Sequence, residues 1–170
     1  MKNGDRGPGS GVRTASAAAA AAVALAMAGA CAKPAVPVRL GGLVRSKVLT
    51  GERAAKAIGT LHGLDVAPER SFVVDYGRRG ELRLYVSHFA GAAGAQRALS
   101  AMLAGLQGGA TPFRPPRRDR RWPDRWFTVG PGGHHAVWVS GASVYWLTGA
   151  PARLERAMDE LPAPAHGEWT

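Results

Sequence analysis

The chain predicts an α+β fold, an antiparallel sheet of about five strands with helices packed on one face, in the order α-β-β-α-β-β-β-α. Three observations carry this. Short apolar runs with strand-like alternation are bounded by Gly and Pro, and three segments show apolar residues at 3-4 spacing. Successive strands are joined by connections short enough to force antiparallel pairing, and such a sheet packs its helices as a second layer.

The first helix is expected over 51–62. Thr50 suits the N-cap, Glu52 places a negative charge in the first turn, and Ala54, Ile58 and Leu61 recur at helical spacing before Gly63. "SFVVDYGRRGELRLYVSHF" reads as a hairpin. Phe72, Val74 and Tyr76 share one face of its first strand, and Leu82, Leu84 and Val86 share one face of its second. A second helix is expected at 92–107, where Ala95, Ala98, Leu99, Met102, Leu103 and Leu106 form a stripe that Gly108-Gly109 ends. Three strands follow, "WFTVG", "HHAVWVS" and "SVYWLTG", separated by "PGG" and Gly141-Ala142. Pro151 then opens a last helix with Leu154, Ala157, Met158 and Leu161 as its apolar stripe. The expected layout is a signal peptide at 1–30, a tether at 31–47, one domain at 48–162 and a loose tail at 163–170.

The leader sets the compartment. Lys2, Arg6 and Arg13 precede an uncharged run of small apolar residues from Ala15 to Ala30, too short for a bilayer span of roughly 20 residues. It ends in Ala28-Gly29-Ala30 directly before Cys31, the only cysteine. This pattern resembles a bacterial lipoprotein signal, with Ala28 standing where leucine is usual. The resemblance implies cleavage before Cys31 and acylation of that residue. The expected location is therefore the cell envelope, membrane-anchored and facing periplasm or exterior. Plain secretion with Cys31 left free and an uncleaved anchor are the alternatives. A single cysteine excludes an intramolecular disulfide and any CxxC zinc pattern.

The formal charge is +10, and only four of the cationic residues are lysines. Enrichment in Arg, Ala, Gly and Pro is also what a GC-rich genome yields without selection for binding. Charge of this sign attracts nucleic acid, anionic lipid and acidic polymers alike. For an exported chain, the membrane itself, anionic lipid and an acidic envelope partner are the partners in reach, and nucleic acid is the weaker choice.

The densest cationic stretch is "FRPPRRDRRWPDRW", from Phe113 to Trp126. Its arginines, Arg114, Arg117, Arg118, Arg120, Arg121 and Arg125, are the candidate anion-binding residues, and Trp122 and Trp126 supply stacking surfaces. The alternative is a solvated connector, 107–125, whose tryptophans cover the sheet edge. His62, His88, His134 and His135 are the candidates for a metal or haem site; no cofactor is expected otherwise. Neighbouring strand residues face opposite ways, so His134 and His135 should not serve one site. There is no HExxH pair and no G-x-S-x-G elbow, and Ser87 and His88 should diverge as strand neighbours. No catalytic residue is assigned.

Gly51 to Gly63 follows the pattern G-x-x-A-x-x-x-I-x-x-L-H-G. Tyr76-Gly77, Tyr85-Val86-Ser87 and Tyr145-Trp146-Leu147 complete a set of short motifs over 51–161. The set resembles a family of exported bacterial proteins of unknown function, many of them lipoproteins. The resemblance implies an export-linked α+β domain and carries no catalytic residue, and the arginine-rich stretch lies outside it. The resulting expectation is a lipid-anchored envelope protein whose domain is a non-catalytic binding module. A periplasmic metal or haem binder and a hydrolase with an unrecognised site are the alternatives.

Overall fold

A computed structural model describes residues 36–62, 68–109 and 111–161, with the side chains of 60–62 excepted. The expected signal peptide, Cys31, the first residues of the expected tether and the tail at 163–170 lie outside the described residues.

The fold is α+β. Eight strands form one antiparallel sheet: β1 (Arg39–Leu40), β2 (Leu43–Thr50), β3 (Arg70–Tyr76), β4 (Leu82–His88), β5 (Arg117–Arg118), β6 (Trp126–Gly130), β7 (Gly133–Ser140) and β8 (Ser143–Gly149). Three helices complete it, α1 (Gly51–His62), α2 (Ala92–Gln107) and α3 (Pro151–Glu160). The spatial order of the strands is β1-β2-β3-β4-β8-β7-β6-β5.

Three expectations need correction. The sheet has eight strands, not about five, because two short strands cap its two edges and β2 occupies part of the expected tether. In that segment Gly41 and Gly42 adopt φ of 59° and 76°, the conformation a two-residue hairpin loop requires. Leu40 pairs Leu43 directly across it. The Gly pair read as a linker is a hairpin turn. The element order is therefore β-β-α-β-β-α-β-β-β-β-α.

Third, helices cover both faces of the sheet. Val74, Tyr76, Leu82, Leu84, Val86, Trp138, Tyr145 and Leu147 pack with Leu154, Ala157 and Met158 of α3 on one face. Val73, Tyr85, Val137, Val144 and Trp146 pack with Ala54 and Ile58 of α1 and with Ala95, Leu99 and Met102 of α2 on the other. Alternation along each strand divides the apolar residues between the two cores. The faces expected for Phe72/Val74/Tyr76 and Leu82/Leu84/Val86 are those that meet α3.

α3 also ties the first hairpin down. The Gly41 N–H donates to Glu160 Oε2 at 2.9 Å, and Arg153 donates to the Gly41 carbonyl at 3.2 Å. The Tyr76 hydroxyl donates to the Pro37 carbonyl at 3.0 Å. Burial raises the Tyr76 pKa to about 12, with Arg45 opposing. No helix among the described residues is long and apolar enough to cross a membrane.

Candidate functional site

The arginine-rich segment is built into the far edge of the sheet, and its first anchor is Phe113. The ring stands edge-on to His135 and to Trp146, with centroids 5.1 Å and 5.5 Å away. A Cβ on Gly130 would collide with the Phe113 ring, so the absent side chain makes its seat. Under it the Trp146 indole N–H donates to His135 Nδ1 at 2.9 Å, which places the neutral ring's proton on Nε2. Burial pulls the His135 pKa below the ordinary histidine value, against the carbonyls of Pro131 and Gly130.

From that anchor the backbone is held to β6. The Arg114 N–H donates to the Val129 carbonyl at 2.8 Å, and the Thr128 hydroxyl donates to the Arg114 carbonyl. Pro115 and Pro116 then carry the chain into β5, where Arg117 pairs Phe127 and Arg118 pairs Trp126. Strand alternation separates the two arginines. Arg118 lies over the Trp126 ring, 4.7 Å from its centroid, on the face that α2 covers. Arg117 stands on the α3 face beside Phe127.

The six arginines therefore have different duties. Arg125 is 4% exposed, donates to the Met158 carbonyl at 2.7 Å and lies 4.7 Å from the Trp138 ring centroid. Arg121 stacks on Trp122 and bonds Asp159 at 2.9 Å, with Glu155 at 3.7 Å. Arg118 is held by Trp126. These three fasten the segment to the sheet and to α3. The alternative of a solvated, aperiodic connector needs correction in one respect: five of its six arginines are exposed, but the strand pairing and Arg125 fasten it to the core. Arg114, Arg117 and Arg120 are exposed and make no ion pair with an acid among the described residues.

Two of those three, Arg114 and Arg117, line a cleft of about 490 Å³ on the α3 face. Trp122 and Phe127, with ring centroids 5.9 Å apart, form its apolar wall. His134, exposed on β7, also lines it, and Pro151, Leu154 and Glu155 bring in the first turns of α3. Two acids also line the cleft, and both face Arg121. Asp119 accepts the Arg121 backbone N–H at 2.8 Å, and Glu155 sits 3.7 Å from its guanidinium. The cleft thus joins two cations without acidic partners, an imidazole and an aromatic wall, a set that suits an anionic group attached to an apolar body.

Among the described side chains, the histidines do not converge. The His62 side chain lies outside the described residues. His134 and His135 point to opposite faces of β7, the first exposed and the second 2% exposed. No group of three or more potential metal ligands occurs among the described residues. His88, expected to diverge from its strand neighbour Ser87, has Ser143 as its partner, directly across the β4–β8 pairing, with Nδ1 3.0 Å from Oγ. Ser143 is 4% exposed, and no carboxylate among the described residues bonds the His88 ring. The pair is a polar tie between two strands.

Sequence reasoning missed the cleft because its walls come from β5, β6, β7 and α3, elements brought together only by the sheet order. The one local signal was the alternation of Arg117 and Arg118, which a strand would send to opposite faces. No family model, no curated protein and no solved structure matches the chain.

Proposed function

We propose that the chain is exported and held at an envelope membrane by acyl groups on Cys31, and that its domain is a non-catalytic binding module. The ligand is an anion carrying an apolar body, and the cleft between β5, β6, β7 and α3 is its seat.

The observation that carries this reading is the pair Arg114 and Arg117, exposed in a cleft whose two acids are both engaged by Arg121. A cavity of about 490 Å³ lies within the range of small-molecule sites, and its aromatic wall accounts for the apolar half of the ligand. The lipoprotein-like leader, with Cys31 after Ala28-Gly29-Ala30, supports the placement at a membrane.

Calorimetric titration with hexyl phosphate and inorganic phosphate tests the ligand class. Hexyl phosphate should bind more tightly than inorganic phosphate, and its affinity should fall as salt rises. The double variant R114Q/R117Q should lose at least tenfold in affinity, while Arg120→Gln changes it little. Equal binding by the double variant, or no binding of either probe at millimolar concentration, refutes the cleft as an anion site.

A further inference from the structure

The described residues leave three large apolar side chains exposed, Val38 at 63%, Val44 at 50% and Val48 at 41%. All three belong to β2 or to the residues just before β1, at one edge of the sheet. Arg39, Arg45 and Lys47 flank them and are exposed, and the register shift between Arg45 and Lys47 turns Val44 and Val48 to opposite faces, so the valines line the edge from both sides. Between Val36 and Gly51 there is no acidic residue. Among the described residues, β1 covers only the start of β2, pairing at Leu43 and Val44 with the Arg45 N–H donating to the Val38 carbonyl, and no strand pairs the outer edge beyond it. An open edge bearing valines is a sticky surface that proteins ordinarily blunt or cover.

The position of Cys31 says what covers it. Cys31 precedes Val36 by five residue steps, and extended chain spans at most roughly 3.5 Å per step, so the backbone of Cys31 lies within about 18 Å of Val36, which leads into this hairpin. We infer that the β1–β2 hairpin is the membrane-facing surface of the domain, with Val38, Val44 and Val48 at the headgroup–acyl boundary and Arg39, Arg45 and Lys47 against anionic headgroups. The inference rests on the lipid-anchor reading and extends it from a point of attachment to an orientation. Interfacial binding combines buried apolar area with attraction between basic side chains and anionic lipid, and this hairpin supplies both. A second copy is the poorer occupant, because two-fold pairing along β2 would bring its Arg45 and Lys47 close to those of the other chain.

The strand order gives the orientation a consequence. β5 lies seven inter-strand steps from β2's outer neighbour β1, which at about 4.8 Å per step is roughly 34 Å. With the hairpin on the bilayer, the arginine segment and its cleft stand away from the lipid and open toward soluble ligand. The valine hairpin, not the arginine segment, is then the lipid contact.

The test uses the full chain expressed in a bacterial host, purified from membranes and reconstituted in vesicles of phosphatidylethanolamine and phosphatidylglycerol. Val44→Cys, Val48→Cys and, at the exposed Ser100 of α2, Ser100→Cys are each labelled with an environment-sensitive fluorophore, and intact mass reports acylation of Cys31. Labels at 44 and 48 should emit to the blue and be quenched by shallow spin-labelled lipid at least twice as strongly as the label at 100. The triple variant R39Q/R45Q/K47Q should weaken that quenching. Acylated protein whose three labels are equally exposed to water overturns the inference and leaves the anchor standing. If mass shows Cys31 unmodified, the anchor reading fails, and co-sedimentation of that same protein with the vesicles decides the hairpin separately. Binding lost in V44S/V48S upholds it, and no binding overturns it. Efficient 44–44 cross-linking between chains also overturns it, in favour of a dimer edge.

Discussion

Replacing Arg125 by alanine separates an arginine that builds the fold from those that line the cleft. Its guanidinium donates to the carbonyl of Met158, one of the last-turn carbonyls of α3 that the helix itself leaves unpaired. A cation there also meets the negative end of the helix dipole. Losing a charge-assisted hydrogen bond costs about 1.5–3 kcal/mol, and losing a desolvated stack on Trp138 adds about 1–2 kcal/mol. Relief of the buried charge opposes both. Burial lowers the Arg125 pKa more than Asp159 and Asp124 raise it, which gives this opposing contribution its sign. The net expectation is a loss of about 2–3 kcal/mol for Arg125→Ala. Arg125→Met keeps the stem in contact with Trp138 and should lose about 1–2 kcal/mol, the cost of the unpaired carbonyl. Arg120→Ala, exposed and without an ion pair among the described residues, should stay within about 0.5 kcal/mol of the parent. Equilibrium unfolding in urea, followed by tryptophan fluorescence and circular dichroism with unchanged m-value, measures all three. Equal stability of Arg125→Ala and Arg120→Ala would refute the claim that Arg125 caps α3.

Two further perturbations probe the aromatic seat. Gly130→Ala puts a methyl where the Phe113 ring lies, and should cost about 1–3 kcal/mol while altering the near-ultraviolet signal of Trp146; an unperturbed spectrum and stability would mean Phe113 does not occupy that seat. Burial keeps the folded His135 pKa below the ordinary 6.5, so the unfolded chain takes up that proton first. This contribution leaves stability whole above pH 6.5 and reduces it as pH falls below, by at most ~1.4 kcal/mol per pH unit. His135→Gln, which keeps an acceptor for Trp146, should flatten that part of the pH–stability curve; an unchanged slope counts against a buried neutral ring.

The elements most legible in the sequence are those set by local periodicity. α2 and α3 occupy the segments their apolar stripes mark, because a helical stripe needs only neighbours three and four residues away. The β3–β4 and β7–β8 hairpins were legible for the same reason, their pairing being enforced by short turns. Two signals were present and misread. Gly41-Gly42 between apolar flanks marks a hairpin as well as a linker, and positive φ at both positions decides for the hairpin. "AVWV" in β7 and "VYWL" in β8 are apolar at every position, the pattern of strands covered on both faces, whereas one-sided burial would have left alternate positions polar.

By itself, then, the sequence determined the α+β class, the three helices and the local hairpins, all of them consequences of contacts or patterns within a few residues. Tertiary structure alone decided that β4 pairs β8, since their facing residues lie some sixty apart and nothing local selects that partner. The same pairing joins His88 to Ser143 and carries β5 and β6 out to the far edge. It also divided six arginines of one composition into those held by Trp126, Asp159 and Met158 and those left facing a cleft. A guanidinium is equally cationic in every setting; its role depends on which carbonyl, ring or carboxylate the folded chain brings within reach.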